Sequence, residues 1–155
     1  MNNPLWEFAV TIYARDGVAN ACLRAQDEAG CDVNLLLYAA WLAGQQCELR
    51  ESHLRELDAQ LLPWRSRVIE PLRRLRRDWK AVAGAENLRQ SVKSMEMLAE
   101  QREIELIWSA HDAAVALPVA KPLLLLNLTR VLALTCSDSH QQELLGHLLE
   151  VALKD

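Results

Sequence analysis

Arg73, Arg76, Arg77 and Lys80 follow one another at intervals of three, one and three residues, which places them along one flank of a helix. Guanidinium forks repeated at that spacing match a row of carboxylates or phosphates, because each presents a planar set of donors. From Trp64 to Lys80 the chain carries seven basic and two acidic residues, a balance of +5. The whole chain has a net charge of −4, so the remainder carries −9. Two readings compete. In the plainer one the charges form a solvated face that closes on itself through pairs such as Glu70–Arg74 and Arg74–Asp78. In the functional one the helix grips an anionic surface. Whole-chain acidity argues against a protein that coats nucleic acid. The expected partner is therefore an acidic protein surface, or the acidic surface of a second copy of this chain. RNA or DNA bound by the same helix is the alternative.

A second group of polar residues, Gln26, Asp27, Asp32 and Asn34, brackets Gly30 at the entrance to a strongly apolar segment. Asp27, Glu28 and Asp32 have the oxygen ligands that Mg²⁺ or a cationic small molecule would need. This leaves a small helical enzyme or ligand-binding protein as a third reading. The structural alternative gives Asp32 the task of capping the next helix and Asn34 that of satisfying backbone groups there. Further on, His140, Glu143, His147 and Glu150 form one stripe of a helix, a pattern able to hold zinc or iron. That stripe faces away from Leu144, Leu145, Leu148 and Leu149, and no histidine has a glutamate three residues before it, so a di-iron bundle site is set aside. The chain has no phosphate-binding glycine loop, dinucleotide fingerprint, zinc-protease motif or nucleophile elbow. No catalytic residue, metal or cofactor is expected. The reading is a non-enzymatic interaction or small regulatory protein.

The elements that position these residues read as helices. The 155 residues suit one domain, residues 1–155, and five Gly with five Pro are too few for a turn-rich β fold. Asn3 and Pro4 open a helix whose stripe is Trp6, Ala9, Val10 and Tyr13, and Gly17 closes it. Val18 to Ala29 makes a second helix, ended by Gly30. Residues 32–43 contain LLLYAAWLA, apolar on every side, which predicts a central helix surrounded by protein. Ser52 caps a short helix to Leu62. From about Pro63 to Ala83 one seam joins Trp64, Val68, Leu72, Leu75, Trp79 and Val82, kinked at Pro71. A long helix from about Ala85 to Leu117 buries Leu88, Val92, Met95 and Ala99, then Ile104, Ile107 and Trp108. Pro118 and Pro122 mark a joint, Leu123 to Cys136 forms an apolar helix, and Ser139 with Gln142 makes a capping box for the last. The fold class is all-α, a single-domain bundle of about seven to eight helices.

The segment from Trp6 to Arg77 resembles a family of bacterial proteins, the domain of unknown function 2390. The resemblance lies in Trp6, Phe8, Ala9 and Tyr13, Gly17-Val18, Ala21 to Leu23, Gln26-Asp27 and Gly30. It continues through DVNLLL at Asp32 to Leu37, Trp41 to Ala43, Pro71 to Arg73 and Arg76-Arg77. It implies a small helical bacterial protein with no assigned activity or site residues.

The N-terminal MNNPLWEFAV lacks the basic start of a secretion signal. Ala113 to Leu126 is broken by Pro118, Lys121 and Pro122 and falls short of the roughly 20 residues of a membrane span. Cys22, Cys31, Cys47 and Cys136 show neither metal-site nor disulfide spacing, so free thiols in a reducing, cytoplasmic setting are expected.

Overall fold

The computed structural model describes residues 2–111 and 122–154, and among them every regular element is helical. The eight α-helices are α1 (Pro4–Tyr13), α2 (Val18–Ala29), α3 (Val33–Gly44), α4 (Glu51–Trp64), α5 (Glu70–Asp78), α6 (Glu86–Ala110), α7 (Leu123–Ala133) and α8 (Ser139–Leu153).

α3 is the axis. Asp32 caps it, its side chain accepting from the backbone N–H groups of Asn34 at 2.8 Å and Leu35 at 3.4 Å. Leu35, Leu36, Leu37, Tyr38, Ala39, Ala40 and Leu42 are all buried, as an apolar run on every side requires. α1, α2, α6 and α7 surround it, and α8 packs on α2 and α7. Asn127 of α7 is fully buried and closes a hole in the backbone bonding. It accepts from Leu49 N–H at 2.9 Å and donates to the carbonyls of Ala39 at 3.2 Å and Cys47 at 3.0 Å.

α4 does not stop at Leu62. It runs through Pro63 into a π-helical turn, Arg65–Ile69, and on into α5, with Arg50 rather than Ser52 at its N-cap. The wide turn sits where Pro71 lacks an N–H for the carbonyl of Arg67, so the expected kink is taken up as a π turn. α5 and the first half of α6 form a hairpin that stands outside the shared core, which draws no residue from 62–103. Its own seam is thin: Ile69, Ala85, Val92 and Ala99 are buried, and no residue of α5 is. Leu75, Val82, Leu88 and Met95, expected inside, are exposed, because a two-helix hairpin has only one partner face to offer each stripe.

Other expected boundaries shift. Gly17 adopts a left-handed φ of 85° as the N-cap of α2, whereas α1 ends earlier, at Tyr13. α6 ends at Ala110 with an extended His111, short of Leu117; residues 112–117, Pro118 and most of the Ala113–Leu126 stretch lie outside the described residues. Asp138, not Ser139, caps α8 by accepting from the N–H groups of His140 and Gln141. Gln142 reaches the carbonyl of Cys136 instead of closing a box. No helix among the described residues is long and apolar enough to cross a membrane.

Candidate functional site

The basic helix divides into two rows. Arg73 and Arg76 turn inward to α6, where Glu96, Glu100 and Glu103 recur at four and three residues and so present one carboxylate stripe. Arg73 donates to Glu100 Oε1 at 2.9 Å, and its guanidinium lies 3.4 Å from Glu96 and 3.6 Å from Glu70. Arg76 grips both carboxylate oxygens of Glu96. Burial pulls the Arg73 guanidinium toward the neutral form, but the bond and charge of Glu100, with the charges of Glu70 and Asp32, together outweigh it and hold the proton on. Arg77 and Lys80 point outward with Arg67 and Arg74, and all four are exposed. Among the described residues none of these four makes an ion pair, and neither Glu70–Arg74 nor Arg74–Asp78 forms.

Behind the inner row lies a buried ionic knot. Arg65, the first residue of the π turn, sits 2.9 Å from Asp32 Oδ2 and 3.4 Å from Glu103 Oε2, and also binds Asp58. Asn34 donates to Glu103 Oε1 at 2.9 Å and to the carbonyl of Glu100 at 3.3 Å. Burial pushes the Glu103 carboxyl up to about 9, and the Asp32 carboxylate beside it pushes the same way. Asn34 and Arg65 act against that rise without cancelling it. Three carboxyl groups thus face one guanidinium. Keeping Glu103 protonated relieves the crowding, since like charges this close resist joint ionisation.

The sequence group around Gly30 therefore separates. Asp32 and Asn34 join the knot, Gln26 lines a cleft beside it, and Asp27 is exposed on α2. The cleft, about 780 Å³, opens between α1, α2, α3 and the α5–α6 hairpin. Trp6, Val10, Leu37, Met97 and Ile104 supply its apolar lining, and Arg73, Arg76, Lys93, Glu96 and Glu100 its charged one. Both sequence clusters thus contribute to a single concave surface. Val10 and Tyr13, expected in the core, are 52% and 38% exposed because that face of α1 meets the cleft instead of another helix.

A second concentration of polar chemistry escaped the sequence reading. The Tyr38 hydroxyl, at the heart of α3, lies 3.1 Å from His53 Nε2 and 2.8 Å from His111 Nδ1. Trp41 and Trp108 pack edge to face at 5.4 Å beside them, and His111 stacks on Trp108 at 5.2 Å. The signal was a tyrosine inside an otherwise apolar helix, whose hydroxyl had to find a partner once buried. Glu96, Glu100 and Glu103 were also legible as a stripe spaced like the arginines opposite.

On α8, His140, Glu143 and His147 are exposed and Glu150 is half-buried, with His147 Nδ1 3.7 Å from Glu150. Leu144, expected in the core, is 53% exposed. Among the described residues no group of His, Cys, Asp and Glu is arranged to hold a metal ion. Burial pushes the Cys22 thiol up to about 12 and raises that of Cys31 as well, which disfavours the thiolate at both positions.

The model of a family described as "Protein of unknown function (DUF2390)" matches residues 4–107, two thirds of the chain and all of the cleft and the knot. No curated protein and no solved structure matches.

Proposed function

For this chain, which belongs to the DUF2390 family, we propose a non-enzymatic role as an adaptor or small regulator that binds an acidic protein partner through the outer face of α5. One observation carries the reading: among the described residues Arg67, Arg74, Arg77 and Lys80 stand exposed and without ion pairs, although the chain has 21 acidic residues. Asp78 is the single exposed carboxylate interspersed among them whose charge is not already taken up; Glu70 is drawn to Arg73. The inner arginines fix α5 against α6, so the outer row is presented on a held helix rather than a loose one. Rigid presentation lowers the entropic cost of docking.

The hairpin that carries this row lies outside the shared core and exposes Leu75 and Val82 near the cations. Apolar contacts beside a basic row suit a protein surface better than a phosphate backbone. Three of the four cysteines are buried and none is in a disulfide, which suits the reducing cytoplasm of a bacterium, where we place the protein.

The test is affinity capture with the native chain and an Arg74→Glu, Arg77→Glu, Lys80→Glu variant, with helicity checked by circular dichroism. The reading expects an acidic partner, or a second copy, that the folded variant loses. An unchanged set of captured proteins overturns it. A nucleic-acid gel shift at low salt that only the native chain gives would replace the protein partner with RNA or DNA.

A further inference from the structure

We infer that the cleft between α1, α2, α3 and the α5–α6 hairpin is a binding site for a small amphiphile with an anionic head, such as a fatty carboxylate. This site is separate from the outer row of α5 and does not depend on it.

The size selects a small molecule. At about 780 Å³ the cleft falls within the roughly 300–1,000 Å³ of small-molecule sites.

The lining selects an apolar tail. Trp6, Ala9, Val10 and Tyr13 have the spacing of a covered stripe, yet all four line the cleft and Val10 and Tyr13 stand exposed in it. Leu23 and Met97 close around it, 45% and 64% exposed. Four large apolar side chains thus stand open along one concavity, while Leu37 and Ile104, each 3% exposed, make its floor.

The charges select the head. Arg73 and Arg76 are neutralised by Glu100 and Glu96, which leaves Lys93 as the cation that sets the sign. Among the described residues the exposed Lys93 side chain has neither an ion pair nor a hydrogen-bond partner. Along α6 the lining runs from Gln90, Lys93 and Ser94, past Glu96, Met97 and Glu100, to Ile104, which lies about 16 Å from Lys93 at 1.5 Å per residue. A carboxylate at Lys93 lays its chain along Met97 toward Ile104, while Glu96 and Glu100 stay turned to Arg76 and Arg73.

The probes are dodecanoate and dodecylammonium, each below its micellar concentration, titrated into the full chain by calorimetry. Dodecanoate is expected to bind at least about tenfold more tightly than its cationic counterpart. Lys93→Glu should reverse that order, and Val10→Asp should weaken both; these two positions are exposed, so the fold is retained. A dodecanoate brominated at its tail should quench tryptophan fluorescence in the native chain and lose most of that quenching in Trp6→Phe. Absent dodecanoate binding, equal affinity for the two head groups, or quenching undiminished in Trp6→Phe each overturns the proposal.

Discussion

Arg73 donates to Glu100 across the α5–α6 hairpin at 2.9 Å, so an arginine whose spacing suggested an outward grip is held by the chain's own carboxylate. Three residues on, Arg76 is held in the same way by Glu96. The consequence is a division of labour on one short helix, with inner cations fixing the hairpin and outer cations left over.

That division predicts unequal costs for the same substitution. Arg73, whose side chain is 13% exposed, sits among Glu70, Glu96 and Glu100, so Arg73→Glu should destabilise by about 2–4 kcal/mol. Arg77→Glu, on the exposed face, should change stability by less than about 0.5 kcal/mol. Urea unfolding of the two variants checks this. Equal costs would mean that the inner pairs do not hold the hairpin.

The buried knot predicts a pH dependence. Glu103 has its carboxyl raised in the folded chain to about 9 by burial first and Asp32 second. The folded state therefore keeps a proton that the unfolded chain releases near the ordinary glutamate value of about 4.3. As pH rises between those two values the unfolded state binds fewer protons, and stability falls. Glu103→Gln keeps the neutral form at every pH, so it should flatten that decline. At pH 8–9 it should equal or exceed the native chain, by roughly 1–3 kcal/mol. Urea midpoints from pH 5 to 9 provide the readout, and a parallel decline in both proteins contradicts the assignment.

Asn127 predicts a loss out of proportion to its size. Its amide serves three backbone groups where α3 ends and the chain turns toward α4. Asn127→Ala strips these partners from a fully buried site and should cost about 3 kcal/mol in thermal or urea unfolding. A cost under about 1 kcal/mol would show that the amide is dispensable.

Much of the scaffold could be read from residues alone. Asn3, Asp32 and Gly30 mark helix ends through local bonds, and the all-apolar run in α3 admits only a surrounded position. What escaped the sequence is which apolar stripe finds a partner. Tyr13, Leu88 and Met95 have the spacing of buried residues, but burial depends on another element arriving, and spacing does not report that. The Arg65 knot is hidden for a related reason. Its members come from three separate stretches, the start of α3, the continuous helix of α4 and the π turn, and α6, and no local pattern links Asp32 to Glu103. The carboxylate stripe Glu96, Glu100 and Glu103 was visible but had to be matched with the arginines of the preceding helix to acquire meaning.

The outward row of α5 is examined most directly by photocrosslinking in living cells, without reversing any charge. A photoreactive residue replaces Leu75, 38% exposed beside the row, and in a second protein Val151, 80% exposed on α8. The account predicts that position 75 captures an acidic protein, or a second copy of the chain, which position 151 does not. Equal capture from the two positions, or none from position 75, would contradict it.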